Sequence, residues 1–206
     1  MDSLETIAGE IAECTKCPLH QGRTNAVPGE GPTNAEIMFI GEGPGFHEDQ
    51  SGRPFVGASG NFLTSLIESI GLKREDVFIA NVVKCRPPGN RDPESEEIQA
   101  CRAYLDRQIE LINPKVIVTL GRFSMARWFP SARISRIHGQ ARQFGSVMVV
   151  PMYHPAAALH QPSLRQTVME DFAKLPELLK NPILAENTVE DEPGEVSDEF
   201  EQLNLF

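Results

Sequence analysis

Four short apolar runs, rich in β-branched and aromatic residues, recur along the chain between more polar segments. None of them alternates cleanly between apolar and polar positions, which is typical of strands buried on both faces of a parallel sheet. We therefore predict four strands, at 36–41, 77–83, 115–120 and 147–153.

Apolar residues at helical spacing occupy the segments between these strands. One helix is predicted from Ser59 to Ile70, ending at Gly71, and another from Pro93 to Ile112, with Asp92 as its N-cap. Two more helices are predicted at 123–128 and 163–179. Strands that alternate with helices predict a three-layer α/β/α fold with a central four-stranded parallel sheet.

Acidic residues are concentrated at the end of the chain, and this changes what the net charge of −10 implies. Eight of the 29 acidic residues lie between Glu186 and Phe206, which leaves 21 acids against 19 bases elsewhere. Because the rest of the chain is nearly neutral, a nucleic-acid partner is not excluded. We predict a folded domain over 1–182 and an acidic, disordered tail over 183–206.

The stretch from Leu111 to Met169 contains no acidic residue. A region with charges of one sign suits a face that binds a polyanion. Solvated arginines scattered over several faces are the alternative, and the sequence leaves both open. The basic residues of this stretch are Lys115, Arg122, Arg127, Arg133, Arg136, Arg142 and Arg165.

The chain contains four cysteines: Cys14 and Cys17 form a Cys-x2-Cys pair, and Cys85 and Cys101 follow much later. Four thiolates suit a tetrahedral zinc ion or a cubane iron–sulfur cluster. The acidic start has no long apolar run, so we predict no secretory signal and a cytoplasmic protein, where disulfides are uncommon. A redox motif and two buried thiols remain as alternatives.

Ligands of parallel α/β sheets bind beyond the carboxyl ends of the strands, so the residues after each predicted strand are candidates. The glycine-rich loop at 41–45, Gly-Glu-Gly-Pro-Gly, follows the first strand and lets the backbone approach a ligand closely. It lacks the Gly-Lys-Ser/Thr ending of a triphosphate-binding loop, and a merely tight turn is the alternative.

Three further side chains lie near strand ends or turns. Phe55, between a proline and glycine-rich turns, either stacks on a planar ligand or belongs to the core. Asn81, inside an apolar strand, needs a partner for its amide, either a ligand or a structural hydrogen bond. His154, where the fourth strand ends, is either functional or a helix cap.

Four motifs occur in order and are interleaved with the cysteines. They are Gly-Glu-Gly-Pro-Gly at 41–45, Arg-Pro-Phe-Val-Gly at 53–57, Asn-x2-Lys-Cys-Arg-Pro-Pro-x-Asn-Arg at 81–91 and His-Pro at 154–155. With these motifs, residues 5–180 resemble the family 4 uracil-DNA glycosylases, the iron–sulfur branch of that superfamily. The resemblance implies a monofunctional enzyme of base excision repair that flips uracil out of DNA and hydrolyses its N-glycosidic bond, leaving an abasic site.

The resemblance also implies roles for the three side chains at the strand ends. Phe55 would lie on the face of the uracil, and Asn81 would accept a hydrogen bond from N3–H and donate one to O4. His154 would stabilise the charge that develops on uracil O2.

The glycine-rich loop matches family positions that line the pocket and hold the attacking water. These positions are Gly41, Glu42 and Gly43, and the sequence leaves open whether Glu42 is a base or only positions the water. Glu48 aligns with the residue that blocks the thymine methyl group.

The resemblance resolves the metal in favour of a [4Fe–4S] cluster, with Cys14, Cys17, Cys85 and Cys101 as its ligands. Hydrolysis requires no redox chemistry, so the cluster would order the loop that follows Cys85 against DNA. The candidates for DNA contacts in that loop are Arg86, Asn90 and Arg91. The Ala156–Leu159 loop is the expected source of the side chain that wedges into the duplex.

The last five residues, Gln202-Leu-Asn-Leu-Phe206, resemble the pentapeptide with which bacterial proteins dock on the replicative sliding clamp. Its motif residues are Gln202, Leu203, Leu205 and Phe206. A terminus that folds back on the domain is the alternative. We expect a monomer with no membrane partner that acts on uracil-containing DNA in the bacterial cytoplasm, associated with the nucleoid.

Two other functions remain open at this stage. One is a non-catalytic DNA- or nucleotide-binding module stapled by a metal. The other is a glycosylase of a related branch with altered specificity, for instance one that traps its product covalently. Histidines after Lys84 would favour that branch, and none occurs between Lys84 and Cys101.

Overall fold

The structure is a computed structural model that describes residues 2–180. Its sheet has five strands in the order β2-β1-β3-β5-β4, of which β1, β2, β3 and β5 run parallel. The strands are β1 Ile37–Gly41, β2 Phe78–Asn81, β3 Val116–Leu120, β4 Arg142–Phe144 and β5 Val147–Met152.

The prediction of four strands was wrong because β4 was missed. This strand has only three residues, none of them fully buried, and pairs antiparallel with β5 at the edge of the sheet. Gly145, with φ of +60°, lies in the turn between the two strands. Because β4 has no apolar run, only its pairing with β5 defines it.

Helices cover both faces of the sheet, which confirms the three-layer architecture. Leu63, Ile67 and Phe172 pack on one face, while Leu105 and Ile112 pack on the other. The helices are α1 Leu4–Glu13, α2 Phe46–Ser51, α3 Ala58–Ser69, α4 Ser95–Ile112, α5 Arg122–Met125, α6 Ile134–Ile137, α7 Pro155–His160, α8 Ser163–Phe172 and α9 Leu175–Lys180.

Several predicted helix boundaries need correction. The helix predicted at 163–179 is two helices, α8 and α9, and the segment Ala156–Leu159 lies in α7 and is not a loop. The helix predicted from Pro93 begins at Ser95, with Glu94 as its N-cap. Asp92 is therefore not the cap, and its carboxylate pairs instead with Arg122.

The register of the sheet brings the candidate residues to one edge. Gly41, the last residue of β1, lies opposite Asn81, the last residue of β2. No helix within 2–180 is long and apolar enough to cross a membrane. The tail and its motif, predicted at 183–206, lie outside the described residues.

Candidate active site

Gly41, at the carboxyl edge of the sheet, lies against two of the candidate side chains, and the group formed by Gly41, Phe55, Asn81 and His154 is called the pocket below. A Cβ atom at this position would lie 2.5 Å from Asn81 Oδ1 and 2.5 Å from Phe55 Cζ. The missing side chain therefore lets the amide of Asn81 and the ring of Phe55 lie together over the backbone of β1. The glycine-rich loop is thus more than a tight turn.

The side-chain oxygen of Asn81 is buried and has no hydrogen-bond partner among residues 2–180. A buried acceptor without a partner costs about 1–3 kcal/mol. This oxygen lies over Gly41, and its capacity to accept a hydrogen bond is not used by any of the described residues.

His154 follows β5 and is the N-cap of α7. Its Nδ1 accepts a hydrogen bond from the backbone N–H of Ala156 at 3.1 Å, so the proton of the neutral ring lies on Nε2. Burial among protein atoms lowers the pKa of His154 to about 4, against a weak opposing effect of Glu48. The ring is therefore neutral at pH 7 and its Nε2–H is a donor.

Phe55 is the third side chain of the pocket. It is buried, and its ring centroid lies 5.5 Å from that of His154. Its backbone has a φ of +49°, in the left-handed region, which costs a bulky residue about 1–2 kcal/mol. Among the residues described, the only other non-glycine residues with positive φ are Asn90 and Asn113, and asparagine tolerates this region better.

Glu42 lies beside this pocket in the glycine-rich loop and is partly buried. Burial, and secondarily the charge of Asp92, raise its pKa to about 7, while Arg122 opposes the shift. The backbone is held as well, because the N–H groups of Val82 and Val83 donate to the carbonyls of Gly41 and Glu42 at 3.0 and 3.1 Å. Glu42 thus has a fixed backbone and a carboxyl group whose pKa lies near neutral pH.

Glu48 joins the two loops of the site. Its carboxylate accepts hydrogen bonds from the backbone N–H groups of Val56 and Gly57, at 2.9 and 3.1 Å, and of Gly45, at 3.2 Å. The glycine-rich loop and the loop of Phe55 are therefore tied by one buried carboxylate. The sequence predicted Glu48 as a site residue, but it did not predict these hydrogen-bond partners, which depend on how the loops pack.

The four cysteines come from three segments on one side of the sheet. Cys14 and Cys17 follow α1, Cys85 follows β2, and Cys101 lies within α4. All four are free thiols. Within 2–180, no group of three or more His, Cys, Asp or Glu residues is arranged to hold a single metal ion.

The thiols are nonetheless close enough to influence one another. Burial raises the pKa of Cys85, while the hydrogen bond and charge of Arg23 oppose this shift and the charges of Cys17 and Cys14 add to it. Burial also raises the pKa of Cys101 to about 11, against the opposing effect of Lys84 and with contributions from Cys17 and Cys85. Cys17 packs against the buried pair Cys85 and Cys101 in one cluster.

Two cations beside the thiols were not predicted as functional residues. Arg23 donates from Nη1 to the sulfur of Cys85 at 3.1 Å and to the carbonyl of Ile11. Lys84 is fully buried and donates from Nζ to Gln108 Oε1 at 2.7 Å, and burial lowers its pKa to about 7. Arg23 has no local pattern that distinguishes it from an ordinary surface cation, whereas Lys84 lies within the motif at 81–91, directly before Cys85.

The predicted DNA-contact residues have different surroundings. Arg86 donates from Nε to Asn90 Oδ1 at 2.7 Å, and its guanidinium lies over the exposed ring of Phe46, 5.1 Å from the centroid. Arg91 is bonded through both terminal nitrogens to the buried carboxylate of Glu97, at 2.9 and 2.7 Å. Arg86 therefore has more freedom to contact a ligand than Arg91.

The basic stretch is partly neutralised by pairing. Arg122 pairs with Asp92, and Arg127 pairs with Asp106. Arg133 and Arg136 are exposed, and their guanidinium groups have no partner within the described part of the chain. A polyanion-binding face over the whole stretch stays a prediction.

Residues 28–176 match the family model described as the Uracil DNA glycosylase superfamily. The chain is 55% identical over 192 residues to the type-4 uracil-DNA glycosylase of Sulfurisphaera tokodaii, covering 88% of this chain and 87% of the relative. It is 52% identical to the type-4 uracil-DNA glycosylase of Saccharolobus solfataricus, over 91% of this chain and 92% of that protein. The type-4 enzyme of Thermotoga maritima is 45% identical, over 86% of this chain and 95% of that protein.

Proposed function

The chain belongs to the uracil DNA glycosylase superfamily and, within it, to the type-4 enzymes, and we propose that it removes uracil from DNA. The reaction is hydrolysis of the N-glycosidic bond, which leaves an abasic site for base excision repair. Because the base is inaccessible inside a duplex, it is first flipped into the pocket over Gly41.

The buried, unpartnered oxygen of Asn81 carries this proposal. It is an acceptor beside the ring of Phe55, so a planar base with an N–H donor on its edge suits both groups. Uracil supplies that donor at N3, and its O4 accepts from the amide NH2. Cytosine has no proton on N3 and carries an amino group at C4, and each mismatched buried group costs about 1–3 kcal/mol.

His154 acts on the leaving group. As the glycosidic bond breaks, negative charge develops on uracil O2, and the neutral ring donates a hydrogen bond from Nε2. A positioned donor of this kind stabilises a transition state by about 3–4 kcal/mol. The low pKa of His154 keeps the ring in this neutral, donor form across the physiological range.

Glu42 and the backbone of Gly43 hold the attacking water. The raised pKa of Glu42 gives it the basicity of a general base near neutral pH. We propose that Glu42 accepts a proton from the water as its oxygen attacks the sugar C1′ atom.

Glu48 contributes to specificity through the two loops that it joins. Its bonds to Gly45, Val56 and Gly57 keep the pocket narrow. We propose that thymine is excluded because this narrow pocket has no room for the C5-methyl group.

A [4Fe–4S] cluster fits the donor set that the four cysteines provide. A single zinc ion needs its sulfurs close together around about 2.3 Å bonds, whereas in a cubane each thiolate binds a different iron. The hydrogen bond from Arg23 to Cys85 matches the negative charge of such thiolates. Cys14, Cys17, Cys85 and Cys101 would hold such a cluster, which would tie their three segments together and order the loop in which Arg86 directly follows Cys85.

DNA binding involves Arg86, Asn90 and Arg91, and α7 contributes the wedge. Leu159 is the exposed apolar residue of this helix.

We further propose that Gln202, Leu203, Leu205 and Phe206 dock on a sliding clamp. Deleting 202–206 is expected to abolish clamp capture in a pull-down and leave activity on short oligonucleotides unchanged, whereas capture that survives the deletion contradicts this role.

The experiment that tests the activity uses single-stranded oligonucleotides with one uracil or with thymine in its place. We expect abasic sites, detected by alkaline cleavage, only in the uracil strand. A protein that retains its cluster and cleaves neither strand would favour a non-catalytic binding module. A covalent protein–DNA product would favour a glycosylase of a related branch.

A further inference from the structure

We propose that Arg74 is a positioning residue for uracil recognition, because its guanidinium holds the carbonyls that keep Phe55 in its strained backbone conformation. Arg74 begins the 3-10 turn Arg74–Asp76 before β2 and lies outside all four motifs of the site. The inference rests on the proposed function, in which Phe55 stacks on the base.

The guanidinium of Arg74 binds two consecutive carbonyls. Its Nη2 donates to the oxygen of Pro54, and its Nη1 donates to the oxygen of Phe55 at 3.1 Å. Nη1 also lies 3.4 Å from the hydroxyl of Thr64 in α3. The planar guanidinium of arginine has several N–H donors and can bind two adjacent carbonyls at once, which the single ammonium group of lysine does less well.

The packing around Phe55 explains why these bonds matter. A Cβ atom on Gly60 would lie 2.0 Å from the Phe55 oxygen, so the start of α3 presses directly against this peptide. The left-handed φ of Phe55 is unfavourable by itself, and such a residue persists only when its surroundings over-determine it. We assign that constraint to Arg74 on one side and to α3 on the other.

The position of the ring depends on this backbone. Phe55 Cζ approaches the space over Gly41, and the ring packs near His154. If the Phe55 peptide relaxed to an extended conformation, its side chain would leave the pocket floor. The stacking surface for the base would then be lost, while the hydrogen bonds of Asn81 would remain.

A nearby arginine provides a matched control. Arg53 binds Glu30 through two hydrogen bonds of 2.8 and 2.7 Å, whereas Arg74 lies 3.9 Å from the same carboxylate. Within the described residues, the side chain of Arg53 makes no hydrogen bond to Pro54 or Phe55, and it is 59% exposed. Arg53→Met therefore removes an arginine of the same cluster without touching the peptide of Phe55.

The test compares Arg74→Met, Arg74→Lys and Arg53→Met in the full chain by the inhibition constant for free uracil. We expect Arg74→Met to weaken uracil binding about tenfold, the scale of one base–aromatic contact. Arg74→Lys should recover part of this loss, and Arg53→Met should match the parent. The thermal midpoint is recorded for each variant, since a purely structural role would lower it without a selective loss of uracil binding.

A double-mutant cycle identifies the route of the effect. In a Phe55→Ala background, Arg74→Met should cause no further loss of uracil binding. A tenfold loss that persists in that background, or a parent-like inhibition constant for Arg74→Met, would overturn the proposal.

The NMR signals of the Phe55 ring test the proposal without measuring catalysis, which matters if Arg74→Met does not fold or if the parent protein is inactive. If Arg74→Met does not fold, Arg74→Lys is compared by the NMR signals of 13C-labelled phenylalanine rings, where Phe55 is assigned by its loss in Phe55→Ala. We expect the Phe55 signals to shift in Arg74→Lys and not in Arg53→Met, and unchanged signals would refute the idea. If the parent protein released no uracil, the proposed function would fail while this ring measurement would still test Arg74.

Discussion

The pocket proposed for uracil and the cysteine corner, defined by Cys14, Cys17, Cys85 and Cys101, are neighbours along the segment that follows β2 but are built differently. In the pocket, protein groups hold one another: Glu48 bonds three backbone N–H groups, and Ala156 fixes the ring of His154. In the corner, four free thiols from three segments have no disulfide between them. The pocket is thus held by hydrogen bonds between protein groups, whereas we propose that a bound cluster holds the segments of the corner together.

The two regions are joined through the chain that follows β2. Asn81 ends this strand in the pocket, and Cys85 lies four positions later in the corner. The N–H groups of Val82 and Val83 bind the glycine-rich loop, while Lys84 is anchored on Gln108. Because these bonds hold the residues between Asn81 and Cys85 in place, loss of a cysteine should disturb the loop after Cys85 more than Asn81. We therefore expect damage to the corner to weaken DNA binding strongly and uracil binding only slightly.

Removing the donor of the pocket should have the largest effect. His154→Ala is expected to lower the single-turnover rate about a hundredfold to a thousandfold, because one donor to the developing anion is lost. Affinity for uracil-containing DNA should change little. His160→Ala is the control, since this exposed histidine lies at the end of the same helix. An equal loss of affinity and rate would mean that His154 acts in binding.

Disrupting the cysteine corner should change DNA binding and uracil binding to different extents. Cys85→Ala should remove the visible absorbance of the cluster and weaken DNA binding about tenfold, because the loop of Arg86 loses its anchor and with it phosphate contacts. The inhibition constant for free uracil should change by less than about threefold, since no cysteine is among the side chains proposed to contact the base. Thr15→Ala, an exposed position between two of the cysteines, is the control.

That prediction has a clear contrary outcome. If Cys85→Ala stayed folded and bound uracil-containing DNA as the parent does, the cluster would have no role in ordering the loop. If uracil binding fell as far as DNA binding, the two regions would form one cooperative unit.

The pH dependence of the rate tests Glu42. A base must be deprotonated, and the pKa of Glu42 is raised to about 7, so the rate should increase about tenfold per pH unit below pH 7 and level off above it. Glu42→Gln should lower the plateau and remove this limb. A Glu42→Gln enzyme with the parent's rate and profile would mean that Glu42 only positions the water.

Asp92→Asn sharpens the same measurement. Asp92 raises the pKa of Glu42, and its loss also frees Arg122, which lowers that pKa. Both effects have the same sign, so the acidic limb should move to lower pH. An unshifted limb in Asp92→Asn would assign the titration to another group.

Arg23→Met should have the smallest effect. It removes one charge-assisted hydrogen bond to Cys85, so loss of the cluster to a chelator should be about threefold to tenfold faster, as expected for a bond of about 1 kcal/mol. Arg102→Met is the control, because this arginine follows Cys101 but pairs at 3.7 Å with Asp106. Equal rates of cluster loss in both variants would show that Arg23 does not stabilise the cluster.

Much of the fold was predictable because its signals are local. The apolar runs of β1, β2, β3 and β5 and the helical spacing in α3 and α4 appear in consecutive residues. The strand β4 escaped prediction because its three residues have no pattern of their own. The short helices α2 and α7 have six residues each and lie next to or partly within motifs, so neither is long enough to show a helical spacing of apolar residues.

The sequence alone predicted the membership of the two sites. Gly41 and Asn81 end strands and His154 follows one. The order of the motifs and cysteines points to one family, which the matches to type-4 enzymes confirm. These conclusions depend on residue type and on position next to an element, which the linear chain records directly.

Only the tertiary structure decided which groups hold these sites in shape. Arg74 reaches Pro54 across 20 positions, and Arg23 reaches Cys85 across 62. The lack of a hydrogen-bond donor near Asn81 Oδ1 among the described residues is likewise a result of how distant segments pack. Long side chains carry no local periodicity, so their partners exist only once distant segments have packed together.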